Sequence, residues 1–319
     1  MNYKTVINII GIILIILSIF MIMPLLVSII NHSSDILALG LSCFLTFFCG
    51  TVMLALTKQY RHEELMYREA FMTVTLTWIA VAFFGCLPYI FTGSVNSFTD
   101  AFFEAMSGFT TTGASIFANV ERLPAGLLFW RSMTQWIGGM GIIVFVLAVL
   151  PLMGIGGMQL FKAEVPEISV DKLRPRIIDT AKALWLIYAG LTFLIVLLYM
   201  IAGMDLYDAV CHAFTTISTG GFSTKNASIG YFDSPFMDYA VSIGMFLGGV
   251  NFALYFYFMR GNFNIFFKNA EFRFYFLVIF ITILLVTFDL WLYSYKSPFD
   301  SLRYSVFQVV SIITTTGYA

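Results

Sequence analysis

Long apolar runs separated by short polar breaks dominate the chain. Runs near 6–30, 36–57, 70–92, 126–152, 181–203, 236–259 and 272–293 each approach the ~20 residues that a membrane-crossing helix requires. Between some of them lie shorter apolar pieces, Phe98–Phe109, Leu206–Ile217 and Phe299–Ile313. These are too short to cross and have the length of re-entrant segments. The pattern predicts an all-α integral membrane protein. The first run follows Lys4 but is too long for a secretory signal, and no small-residue cleavage site follows it, so it is expected to be a retained span.

Each short piece ends in a Thr/Ser–Gly turn. The segments FFEAMSGFTTTGAS (102–115), VCHAFTTISTGGFS (210–223) and YSVFQVVSIITTTGYA (304–319) align, with Gly113, Gly220 and Gly317 placed in register. A hydroxyl pair precedes each glycine: Thr111-Thr112, Ser218-Thr219 and Thr315-Thr316. The order of parts also repeats, as span, short helix, turn, span, which is the signature of a repeat architecture. The expected organisation is a two-helix membrane region at 1–65, pore repeat 1 at 66–165, pore repeat 2 at 166–265 and an incomplete repeat 3 at 266–319. Two spans separate successive turns, so the units share one orientation. Secondary transporters with midplane sites often use inverted units instead.

Composition agrees with a membrane chain: 60% of residues are hydrophobic and 11% charged, against about 25% charged in soluble domains. The positions of the charges carry more information than their sum. With the N-terminus cytoplasmic and the short pieces re-entrant, twelve of the seventeen Lys and Arg fall inside. Arg122, Arg131, Lys225, Lys296 and Arg303 fall outside. The bias follows the positive-inside rule. Full crossing by the short pieces would move the basic stretch 162–182 outside. Cys43, Cys49, Cys86 and Cys211 show no CxxC spacing and are expected to be small buried hydrophobes. No basic patch suggests nucleic acid, and no HExxH, GxSxG or P-loop suggests an enzyme.

The turns carry the candidate chemistry. A cation crossing hydrocarbon needs oxygen around it, and rings of backbone carbonyls can replace its water shell. Glycine lets the backbone leave regular structure at low steric cost. Irregular backbone at membrane depth is tolerated where protein or a wet cavity surrounds it. The short helix ahead of each turn brings its partially negative C-terminal end close, which favours a cation. Thr111, Thr112, Gly113, Ser218, Thr219, Gly220, Thr315, Thr316 and Gly317 are therefore the expected filter, acting through backbone oxygens and needing no cofactor.

Several motifs carry a family resemblance: FTTTGAS (109–115), WIGGMGIIV (136–144), LPLMGIGGMQLF (150–161), RPRI with TAKALWLIY (174–188), TISTGGFST (216–224), GGVNFALYFYFMRG (248–261) and TTTGYA (314–319). Together they resemble the Trk/Ktr/HKT superfamily of potassium transporters over essentially the whole chain. The two spans ahead of the first pore unit resemble the TrkH type, since KtrB-type subunits lack them. The resemblance implies a potassium-channel-like fold of four pore units around one path, with K+ as the transported ion. It also implies a homodimer in the bacterial inner membrane above a cytoplasmic TrkA/KtrA-type nucleotide-binding ring. The stretch 162–182 is the expected docking loop. Gly113 favours potassium, because a Ser at the first filter goes with sodium transport in some plant relatives. Sodium or non-selective cation permeation, or secondary cation symport, are the alternatives. By the repeat length, roughly 150 further residues would complete four units, so the sequence is expected to be a fragment of a longer protein.

Other polar residues have expected structural roles. Glu104 is expected to bond amides behind the filter, or else to enrich cations at the mouth. Asp100, Asp205, Asp208 and Asp300 suit the N-terminal ends of the short helices. Arg131 and Arg303 are expected to snorkel or pair with acids, and His212 to be packed and hydrogen-bonded. Asn251 is expected to bond between helices, with Gly248-Gly249 allowing close approach. Pro24 and Pro88 are candidate kinks.

Overall fold

The computed structural model of the chain describes residues 3–60, 67–141, 174–294 and 297–319. Among the described residues every regular element is helical. Five of the helices among the described residues are long and apolar enough to cross a membrane, and a bent pair makes up to six. The chain divides into two compact units, one of residues 1–110 and 114–182, the other of 111–113 and 183–319.

In the first unit, α1 (Tyr3–Ile30) and α2 (Ile36–Thr57) form an antiparallel hairpin. A Cβ on Gly50 would lie 2.8 Å from Gly11 O, so the two backbones meet where small residues permit it. Asn8 Nδ2 donates to Thr57 Oγ1 at 2.8 Å near the open end. At the closed end Ser28 Oγ donates to Asp35 Oδ1. The next span is two helices, α3 (Tyr67–Gly85) and α4 (Leu87–Phe91), with Pro88 in the first turn of α4. Proline is tolerated there because that amide has no intrahelical partner. The helix α1, by contrast, runs on through Pro24. The short α5 (Phe98–Phe109) matches its expected limits. Then α6 (Ala125–Gly139) follows; the rest of the expected span to 152 lies outside the described residues.

Two side chains fix α6 against its neighbours. Asp35 Oδ2 accepts from Leu127 N at 2.7 Å, capping a free amide in the first turn of α6. Trp130 Nε1 donates to Gly85 O at 3.0 Å, and its ring meets Phe109 edge-on at 6.1 Å. A Cβ on Gly138 would lie 1.9 Å from Phe109 O. Only glycine lets α6 pass this close to the C-terminal end of α5.

The helix α7 (Arg174–Ile201) runs from the end of the first unit into the second, so the tail of the expected 162–182 linker is helical. The short α8 (Leu206–Ile217) is again as expected. The run at 236–259 is not one straight span. It divides into α9 (Pro235–Gly248) and α10 (Phe252–Met259), bent by 87°. Asn251 makes the interhelical bond expected of it, donating from Nδ2 to Glu271 Oε2 on the following span at 3.3 Å, and it is also the N-cap of α10, accepting from Ala253 N at 3.0 Å. The turn α11 (Ile265–Lys268), the span α12 (Ala270–Tyr293) and the short α13 (Pro298–Ile313) complete the unit. Arg303 Nε on α13 donates to Asp238 Oδ2 on α9 at 2.6 Å, which is the acid pairing expected of it. Cys86 and Cys211 are buried, but Cys43 and Cys49 are only half-buried on the hairpin.

Candidate functional site

Each of the three short helices runs straight into a turn of the same unusual backbone. Thr111, Thr219 and Thr315 have φ of 54°, 52° and 60°, and Gly113, Gly221 and Gly317 have φ of 77°, 75° and 75°. Positive φ is rare for a β-branched residue and costs of order 1–3 kcal/mol where it is enforced. Here it recurs two residues before each glycine. The same register follows from the helix ends at Phe109, Ile217 and Ile313.

This register corrects the sequence alignment by one residue in the second loop. Gly221, not Gly220, corresponds to Gly113 and Gly317. The double glycine at 220–221 offers two candidates, and only the second takes positive φ. The signal was present in the sequence: a serine stands two positions beyond Gly113 and two beyond Gly221, as Ser115 and Ser223.

Thr111–Gly113 belong to the same compact unit as the second and third loops, although their flanks lie in the first. Loops two and three show an alternation. Ser218, Gly220, Phe222, Thr314, Thr316 and Tyr318 are buried, while Thr219, Gly221, Thr315 and Gly317 are more open. In the first loop Thr111 and Gly113 are half-buried and Thr112 is exposed. Loops two and three touch: a Cβ on Gly221 would lie 1.8 Å from Thr316 O.

Side chains behind the loops hold them in place. Ser107 Oγ donates to Ala114 O at 2.5 Å and Ser311 Oγ to Tyr318 O at 2.8 Å, the same bond at the first and third loops. Thr314 and Thr316 hydroxyls meet at 2.8 Å, and Ser218 Oγ donates back to Phe214 O at 2.8 Å. Glu104 is fully buried. Its carboxylate accepts from Ser115 Oγ at 3.0 Å, Ile116 N at 2.9 Å and Arg131 Nε at 2.6 Å. It is a buried acid that bonds an amide behind the first loop, not an exposed one.

Asp208 does not bond the amides of its own helix end as expected. Its carboxylate accepts from Thr224 Oγ1 at 2.7 Å and pairs with Lys225 Nζ at 3.0 Å. Burial acts to lower the Lys225 pKa, but the Asp208 bond and charge outweigh it and hold the ammonium above its ordinary value. Ser297 is a true N-cap, accepting from Asp300 N at 3.4 Å. Sequence reasoning missed Tyr318 and Asp35, because both act through contacts distant in sequence.

Comparison with known proteins agrees with this architecture. The family model described as TrkH, cation transport protein, matches residues 38–319. The Trk system potassium uptake protein TrkH of Escherichia coli strain K12 is 42% identical over all of this chain and 66% of its own length. The TrkH of Vibrio parahaemolyticus is 40% identical over all of this chain and 67% of its own. The crystal structure of the Vibrio parahaemolyticus potassium transporter TrkH superposes with a TM-score of 0.87 at 36% identity, covering this whole chain and 66% of that one. The chain thus spans about two thirds of the length of these relatives. Repeated short helices with left-handed Thr–Gly turns, and similarity along the full chain, lead to one conclusion: this chain belongs to the TrkH family of cation transport proteins.

Proposed function

We propose that this chain forms part of a potassium uptake pathway, with its three loops lining one permeation path. The observation that carries the reading is the threefold recurrence of a left-handed threonine two residues before a left-handed glycine. Alternating positive and negative φ turns consecutive peptide units to the same side of a strand. Carbonyl oxygens presented in this way can replace the hydration shell of K+. Strained threonine backbone persists only where the surroundings enforce it, and such strain clusters at functional sites. The printed names of the Escherichia coli and Vibrio relatives, potassium uptake proteins, support the same ion.

In this reading the filter comprises Thr111, Thr112 and Gly113, then Ser218, Thr219 and Gly220 with Gly221 added by the backbone register, then Thr315, Thr316 and Gly317. A two-helix region at 1–65 precedes pore repeats at 66–165 and 166–265 and a partial repeat at 266–319. The protein sits in the bacterial inner membrane with its N-terminus cytoplasmic, which the inside bias of twelve cationic residues supports. It works as a homodimer above a TrkA/KtrA-type nucleotide-binding ring. The stretch 142–173, which includes much of the proposed docking loop, lies outside the described residues.

The test is rescue of growth at low external potassium in cells stripped of their own uptake systems, using the full-length gene product with its ring partner. Growth that tracks external K+ is the expected result. Equal uptake of Na+ would replace this reading with non-selective permeation, and uptake driven only by a second ion gradient would replace it with symport.

A further inference from the structure

All three short helices carry a polar side chain at one register position, and in two of them it is buried. Glu104 on α5 and His212 on α8 stand equally far ahead of Gly113 and Gly221. Both reach the serine beyond their own glycine. Glu104 Oε1 accepts from Ser115 Oγ at 3.0 Å, and His212 Nε2 lies 2.9 Å from Ser223 Oγ.

The chemistry at His212 is fixed by its partners. Nδ1 lies 2.8 Å from Asp208 O, and a carbonyl oxygen can only accept, so Nδ1 carries the proton. Nε2 is then the acceptor and Ser223 the donor. Ser223 Oγ in turn accepts from Lys225 N at 3.0 Å. The imidazole is fully buried, with Phe232 edge-on at 5.7 Å and Tyr318 at 6.1 Å between ring centres. A partner lost inside such a sealed network leaves a buried polar group unsatisfied.

The third unit lacks this arrangement. Gln308 takes the corresponding place on α13 and is exposed, and Ala319 stands where the other loops have serine. Ala319 is held from another direction, by Gly230 N at 3.1 Å and Ser228 Oγ at 3.3 Å.

We infer that His212 is a positioning residue of the second loop: through Ser223 it fixes the strand that leaves Gly221, as Glu104 fixes the strand that leaves Gly113. The inference rests on the permeation reading above. A filter discriminates K+ from the smaller Na+ through the number and placement of its oxygens. A loop released at its exit can follow the smaller ion, so discrimination falls before transport does.

The experiment measures Rb+ uptake and its competition by Na+ in the full-length protein, normalised to inserted protein. His212→Leu and Ser223→Ala are each expected to lower discrimination about fivefold, the weight of one net hydrogen bond. His212→Gln, which restores an amide acceptor, is expected to recover most of it. Wild-type discrimination in Ser223→Ala overturns the inference, and this variant removes a single oxygen atom, so the test stands even if His212→Leu does not insert. Failure of the unmodified protein to take up Rb+ is a distinct result: it overturns the permeation reading and the inference with it.

Discussion

The Tyr318 hydroxyl lies 2.5 Å from Thr215 Oγ1, fastening the third loop to the second short helix. The same hydroxyl reaches Thr216 Oγ1 at 3.2 Å and donates to His212 O at 3.1 Å. Tyr199 Oη meets Thr216 Oγ1 from the other side at 2.8 Å. Tyr318 is 2% exposed, so water cannot replace these bonds. Tyr318→Phe keeps the ring and removes the tie. The expected cost is about 1 kcal/mol net, read as a fall of about fivefold in Rb+ over Na+ preference. Unchanged preference would show that the loops hold their spacing without it.

Gly138 passes against Phe109 O, and its substitution by alanine is expected to be severe. The added Cβ would sit 1.9 Å from a backbone oxygen at the end of α5, which no side-chain adjustment can relieve. Overpacking of this kind costs about 1–3 kcal/mol or more. The measurement is yield of monodisperse protein together with Rb+ uptake. Gly190→Ala on α7, where a Cβ meets nothing within 4 Å, is the control and is expected to behave as wild type.

Glu104 and Arg131 form a buried ion pair, with side chains 0% and 4% exposed. Removing one charge leaves the other uncompensated, at a typical cost of about 3–5 kcal/mol. Glu104→Gln is therefore expected to lower thermal stability in detergent more than Arg303→Gln, because the Arg303–Asp238 pair at 2.6 Å leaves both side chains in partial contact with solvent, 13% and 12% exposed. Equal effects would place the Glu104 pair in a solvated setting.

Asp35 caps α6 from the hairpin loop between α1 and α2. Asp35→Ala is expected to cost about 1 kcal/mol, the usual loss of a helix cap, seen as a lower melting temperature. Ion preference should stay unchanged, because the bonds of Asp35 go to Ser28 and Leu127, outside the three loops.

Much of this architecture was legible in hydrophobic pattern alone. The limits of α1, α2 and the three short helices follow from run length, because a membrane core sets that length. The bend at Gly249–Asn251 did not follow. Its apolar run is unbroken, and only an asparagine N-cap behind two glycines marks it. The positions of the three unusual turns were legible, but the register of the second was not, because Gly220 and Gly221 both follow Thr219 and φ alone separates them. The ties made by Tyr318, Asp35 and His212 depend on packing between segments, which one sequence does not display.

We propose that the three loops act as one filter in the register Gly113, Gly221 and Gly317. The most direct measurement compares Rb+ uptake, with and without competing Na+, in Gly221→Ala and Gly220→Ala. Gly221 has positive φ and lies against Thr316 O, so Gly221→Ala is expected to lose uptake or selectivity while Gly220→Ala keeps both. Wild-type transport in Gly221→Ala, with loss in Gly220→Ala, would contradict the register and the filter built on it.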